Sequence, residues 1–139
     1  MARRRHLSRI AVMQTLFERE LRPEVDPFDS LKENMGELRE LDVPFAEKLL
    51  LGVLASEKDL INTVRQHAPD WPIDRMDPIS RDLLLVGAFE LLHGHDAPAA
   101  VVMNEAIEIA KEFGTQESGK FVNGVLNAIA NREQGKLRS

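Results

Sequence analysis

The sequence predicts an all-α protein, a compact bundle of about seven helices. Apolar residues recur at helical spacings along most of the chain. Asp-Pro pairs and glycines stand where helices begin and end. No segment of useful length alternates apolar and polar residues as a half-buried strand does. Short connections between these segments favour a helical bundle.

The first half of the chain is expected to form three helices. Residues 9–21 carry an apolar stripe, and Pro23 ends this helix because proline cannot continue the hydrogen-bond ladder. Asp26 and Pro27 open the second helix with an N-cap carboxylate and a ring preset to the helical φ. The third helix is expected to run without a break over residues 44–67.

The second half of the chain repeats this pattern. Residues 70–72 predict a short helical turn, and Asp77-Pro78 opens a helix that extends to about Leu91. A loop over residues 93–96 should follow it. The next helix spans residues 98–113 with Gly114 as its C-cap, and the last has apolar residues three, four and seven apart from Val122.

Composition excludes several classes of protein. The 139 residues include no cysteine, so disulfides and thiolate chemistry are absent, and a reducing, cytoplasmic location is expected. The longest apolar runs, residues 49–55 and 83–89, are far shorter than the roughly 20 residues that span a bilayer. Length and composition fit one globular domain.

Charge is unevenly distributed along the chain. The net charge of −5 argues against binding nucleic acid, yet residues 1–17 hold Arg3, Arg4, Arg5 and Arg9 and no acid. Such a basic arm on an acidic body is a candidate for binding phosphates. A solvated, frayed terminus explains the same residues equally well, and the sequence does not decide between the two.

No combination of residues predicts catalysis, a cofactor or a metal. Residues 114–120 match the start of a P-loop, but Phe121 follows where a hydroxyl is needed, and a helix precedes where a strand is needed. The three glutamates of residues 105–112 are typical of a solvated helix face. His93 and His95 make an incomplete metal site. We therefore expect a protein that is not an enzyme.

The start of the last helix has a different composition. Lys120 stands where a cation and backbone N–H groups would attract a phosphate. Phe121, beside Asn123, is either a platform for an unstacked base or an ordinary core residue, and the pattern leaves both open. Gly124 inside an apolar helix predicts that another group approaches the backbone closely there.

One long segment of the sequence resembles a known family. Residues 102–130 read VMNEAIEIAKEFGTQESGKFVNGVLNAIA, in which NEAIE, AK.FG and S.KFVNGVL occur in order. This segment resembles the signature of the NusB family of bacterial transcription antitermination factors. Residues 9–17 and 79–91 are similar to two further helices of that family. The likeness covers nearly the whole chain, although residues 22–70 support it only by their helical pattern.

The resemblance implies a non-enzymatic RNA-binding domain over residues 1–139, with helical subdomains over about residues 1–70 and 71–139. Members of the family bind the boxA element of nascent ribosomal RNA together with NusE, a small-subunit ribosomal protein. The complex joins NusA, NusG and RNA polymerase and suppresses premature termination. The resemblance leaves open whether the unbound chain is a monomer or a homodimer.

The resemblance also assigns individual residues. Those implied to contact RNA are Arg3, Arg4, Arg5, Arg9, Glu117, Ser118, Lys120, Phe121 and Asn123. Those implied to contact NusE are Phe17, Leu21, Ile79 and Asp82. Ser80 departs from the family pattern, in which many members carry an acid there.

Two other functions are compatible with the pattern. One is a helical scaffold that binds only protein, and the other is an RNA-modification accessory module, because NusB-like domains also precede methyltransferase domains. The few residues after the last apolar helix are expected to leave no room for a cofactor-binding fold.

Overall fold

Helices account for most of the backbone that the structure describes. A computed structural model describes residues 2–69, 76–94 and 96–138, with side chains for all of these except residues 2 and 134–138. Over those ranges the chain forms seven α-helices and no strand, so the prediction of an all-α fold is confirmed. The helices are α1 (Ala2–Leu21), α2 (Pro27–Glu37), α3 (Val43–Ala55), α4 (Glu57–His67), α5 (Pro78–Phe89), α6 (Ala99–Phe113) and α7 (Gln116–Arg138). None of the helices searched is both long and apolar enough to cross a membrane.

The predicted helix starts are confirmed where a local cap determines them. Asp26 Oδ1 accepts a hydrogen bond from the Phe28 N–H at 3.3 Å, and Pro27 is the first residue of α2. The predicted start of the first helix at Arg9 is wrong, because α1 begins at Ala2 and includes the arginine run. Residues at the start of α3 contact these extra turns, as described below.

The expected continuous helix over residues 44–67 is also wrong, since it divides into α3 and α4 at Ser56. Ser56 has φ −110° and ψ 13°, outside the helical region. The chain separates there into two compact units, Met1–Ala55 and Ser56–Ser139. This division falls before the expected one near residue 70, because α4 packs against α5 and α7 of the second unit.

In the first unit, α2 and α3 pack against α1. Met13 and Leu16 of α1 are buried with Leu31 of α2 and Leu50 of α3. One polar contact lies within this core: the Asn34 amide donates to Thr15 Oγ1 at 3.1 Å, and the Thr15 hydroxyl donates to the Ala11 carbonyl at 2.8 Å. Thr15 and Asn34 therefore each have a hydrogen-bond partner inside this core, as burial requires.

In the second unit, α4, α6 and α7 pack against α5, whose residues 82–89 are all buried. Gly87 permits the close approach of α7, because a Cβ there would lie 2.8 Å from Leu126 Cδ1. A π-helical turn, Glu90–Gly94, extends α5 where a loop was expected to begin. His95 and the expected turn at residues 70–72 lie outside the described residues.

Candidate nucleic-acid interface

An open groove lies where α5 and α7 begin in the second unit. Its volume is about 450 Å³. The residues that line it are Asp77, Ser80, Thr115, Glu117, Ser118, Lys120 and Phe121. Both helices present their N-terminal ends to the groove, and a helix N-terminus carries partial positive charge from its aligned peptide dipoles. The groove therefore combines two helix N-terminal ends and a lysine with an aromatic ring and the carboxylates of Asp77 and Glu117.

The start of α7 is fixed by a reciprocal cap. The Ser118 N–H donates to Thr115 Oγ1 at 3.1 Å, and the Thr115 N–H donates to Ser118 Oγ at 3.2 Å. Gly114 is the C-cap of α6, as predicted, and a Cβ there would lie 2.8 Å from Ser118 Oγ and 2.9 Å from the Ala110 carbonyl oxygen. Ser118 is buried, so its hydroxyl serves the cap and the groove wall.

The other predicted residues of α7 differ in exposure. The Lys120 side chain is 77% exposed, and its Nζ lies 4.0 Å from Glu117 Oε1 on an equally open surface. Phe121 is half-buried and lines the groove, so it is neither a fully buried core residue nor a fully exposed platform. Asn123 is exposed. The close approach expected at Gly124 is wrong, since a Cβ there would meet no atom of the described residues within 4 Å.

The start of α5 has its own cap. Asp77 Oδ1 accepts from the Ser80 N–H at 2.9 Å, and the Ser80 hydroxyl donates to Asp77 Oδ2 at 2.7 Å. Ser80 is buried by this arrangement. Asp82, expected at the NusE surface, has only 2% of its side chain exposed and lies 3.9 Å from Arg81 Nε. Ile79 is half-buried, so it is the more accessible of the two predicted contacts on α5.

The four arginines in the first half of α1, in the first unit, are not equivalent. Arg3 and Arg4 are exposed, Arg5 is half-buried, and Arg9 is only 3% exposed. The guanidinium carbons of Arg5 and Arg9 lie 4.7 Å and 5.1 Å from the ring centroid of Phe45. Both distances are within the range of cation–π attraction. Only Arg3 and Arg4 present largely open guanidinium groups.

Asp42 connects the start of α1 to the start of α3. Its Oδ2 lies 3.7 Å from Arg5 Nε, and its Oδ1 accepts from the Phe45 N–H at 3.1 Å. The Ser8 hydroxyl accepts from the Asp42 N–H at 2.9 Å and donates to the Arg4 carbonyl at 2.8 Å. Sequence reasoning missed Asp42 and Phe45, because nothing local links them to residues 3–9.

The predicted NusE residues of α1 lie toward its C-terminal end. Phe17 is half-buried, and Leu21 is 68% exposed in the last turn. An exposed leucine at a helix end is a plausible contact but no site by itself. Asp77 and Thr115 are groove residues that sequence reasoning did not assign, although the Asp77-Pro78 pair had marked a helix start.

Small helical units that expose cations at the starts of their helices are typical of nucleic-acid-binding proteins. The comparison with known families is specific: the chain belongs to the NusB family, whose model matches residues 6–131. The match includes residues 22–70, where the sequence offered only a helical pattern. Proteins of this family are RNA-binding transcription antitermination factors and are not enzymes, so the prediction of a non-enzymatic protein is confirmed.

Individual relatives agree with the family assignment. The transcription antitermination protein NusB of Bacillus pumilus is 38% identical over 128 residues, which cover 92% of this chain and 95% of the relative. The structure of T. maritima NusB superposes with a TM-score of 0.81 at 33% identity, covering 91% of this chain and 89% of that one. A chain in the crystal structure of antitermination factors NusB and NusE with dsRNA has a TM-score of 0.83 at 27% identity, covering 95% and 99%.

Proposed function

We propose that this chain binds the boxA element of nascent ribosomal RNA together with NusE and joins NusA, NusG and RNA polymerase in an antitermination complex. The observation that carries the proposal is the groove at the starts of α5 and α7, lined by Lys120 and Phe121 of the family-signature segment. The solved complex of NusB and NusE with dsRNA supports both partners by similarity. Bacterial transcription takes place in the cytoplasm, so this function implies a cytoplasmic location.

Each part of the groove suits a different part of a single RNA strand. Lys120 and the N-terminal end of α7 provide positive charge for phosphates, whereas the Asp77 carboxylate already caps α5. The half-buried ring of Phe121 offers a face on which an unstacked base can rest. Exposed Asn123, two residues further on, has an amide that can donate to and accept from base edges. Phosphate contacts would position the strand, and base contacts would supply specificity.

The first unit would contribute charge through Arg3 and Arg4, which are exposed on α1. Arg9 is buried and Arg5 is paired with Asp42, so neither is placed as openly for phosphate. Three open cations that each neutralise one phosphate of a single strand give a slope of log K against log salt of about −2. Glu117 would oppose this charge, since it lies 4.0 Å from Lys120.

NusE is proposed to contact the exposed Leu21 and the half-buried Phe17 and Ile79. Burial of a leucine side chain at such an interface contributes about 1.5–3 kcal/mol. Ser80 donates both of its hydrogen bonds to the Asp77 cap, and this position lacks the acid that many family members have. This part of the interface would then depend on apolar burial.

A gel-shift assay with a short boxA RNA, with and without purified NusE, tests this proposal. We expect binding by the chain alone to be tightened by NusE, because the two proteins would share one RNA. A chain that binds NusE but no RNA in either condition would contradict the proposal and support the protein-only scaffold. Sedimentation of the unbound chain, run in parallel, distinguishes monomer from homodimer.

A further inference from the structure

The first turns of α1 combine features that disfavour a helix. Arg3, Arg4 and Arg5 are consecutive at the N-terminal end, and no acid lies in the first turn. Cations at a helix N-terminus oppose the helix dipole, and like charges four residues apart, such as Arg5 and Arg9, repel each other. An isolated segment of this sequence would therefore fray, yet α1 is helical from Ala2.

The start of α3 supplies an aromatic ring and a carboxylate to the arginines at the start of α1. The ring of Phe45 lies under the guanidinium groups of both Arg5 and Arg9, and the Asp42 carboxylate lies 3.7 Å from Arg5. The Ser8 hydroxyl is tied to the backbone N–H of Asp42 at 2.9 Å. The two arginines that repel each other thus share one aromatic ring, and one of them also has a counterion.

We propose that Asp42 and Phe45 are positioning residues for RNA binding, which keep the start of α1 helical and divide the four arginines of residues 3–9 into two pairs. Arg5 and Arg9 hold the helix, and Arg3 and Arg4 contact phosphate. This inference rests on the proposed function, because it assigns roles to arginines that the proposed function places on RNA. The occupant of the basic surface is the phosphate backbone of a single RNA strand.

The two roles give different salt dependences. A residue that neutralises a phosphate of a single strand contributes about 0.7 to the slope of log K against log salt, whereas a residue that only orders the helix contributes none. Arg3→Ala should therefore make the negative slope shallower by about 0.7. Arg5→Ala should leave the slope unchanged, because in this assignment Arg5 neutralises no phosphate.

The experiment measures binding of a boxA RNA to the full chain at four salt concentrations for wild type, Arg3→Ala, Arg5→Ala and Phe45→Leu. Phe45→Leu keeps apolar volume but removes the ring face, so we expect a loss of about threefold to tenfold with an unchanged slope. Phe45→Tyr keeps the ring and should restore binding. Hydrogen exchange on the unbound chain should show faster exchange at residues 6–9 in Phe45→Leu alone.

Specific results would overturn the inference. Equal reductions of the slope in Arg3→Ala and Arg5→Ala would place Arg5 on phosphate, and unchanged affinity and exchange in Phe45→Leu would remove the positioning role. If Phe45→Leu loosens the whole first unit, Asp42→Asn decides instead, because asparagine still caps α3 but leaves Arg5 without its counterion. A wild-type chain that binds no RNA contradicts the proposed function, and exchange in the unbound chain still tests whether the ring orders α1.

Discussion

Substitution of Gly114 by alanine should destabilise the second unit and disturb the wall of its groove. A Cβ at this position would lie 2.9 Å from the Ala110 carbonyl oxygen and 2.8 Å from Ser118 Oγ. The carbonyl accepts the Gly114 N–H at 2.8 Å, so it cannot move without loss of that bond, and the hydroxyl belongs to the α7 cap. Strain and partial loss of the cap together should cost about 2 kcal/mol of unfolding free energy.

The matched control is Gly124→Ala in the same helix-rich unit. No atom of the described residues lies within 4 Å of a Cβ at Gly124, and the residue is exposed inside α7. Alanine should therefore stabilise the helix by about 1 kcal/mol through its higher propensity. Urea unfolding followed by circular dichroism measures both values. The reasoning fails if Gly114→Ala is as stable as wild type or if Gly124→Ala is destabilised.

Three further substitutions test the interfaces. Lys120→Ala should make the negative slope of log K against log salt for RNA binding shallower by about 0.7. Urea unfolding should be unchanged, because the side chain is 77% exposed. An unchanged slope would show that Lys120 does not contact RNA. Phe121→Ala should weaken RNA binding by about 1–3 kcal/mol in a titration, the usual contribution of a stacked base; full affinity would exclude stacking. Leu21→Asp should reduce NusE binding in calorimetry while RNA binding by the chain alone is retained, because Leu21 is 68% exposed; normal NusE affinity would place the partner elsewhere.

Features set by residues close together in sequence could be predicted. Asp26 and Asp77 cap helices that begin at the following prolines, because the cap and the fixed φ act within one turn. The apolar stripe of α7 is buried as its spacing predicts. By contrast, the break at Ser56 was missed, since the apolar period continues through it and only the two separate cores require the chain to turn there.

Roles that depend on distant residues could not be predicted. Arg3, Arg4, Arg5 and Arg9 look alike in sequence. Contacts with Phe45 and Asp42, more than thirty residues away, distinguish Arg5 and Arg9 from the exposed Arg3 and Arg4. Ser118 likewise appears as a polar groove residue until its reciprocal bonds with Thr115 are seen. Side-chain type and spacing identify the region of a site, while contacts with distant residues decide which of its side chains face the ligand.

Binding of a labelled boxA RNA and of a scrambled RNA of the same composition, measured with NusE at several salt concentrations, tests the central claim most directly. The account predicts tighter binding to boxA and a negative slope of log K against log salt that becomes shallower by about 0.7 in Lys120→Ala. Equal affinity for the two RNAs, together with a slope that Lys120→Ala does not change, would contradict it.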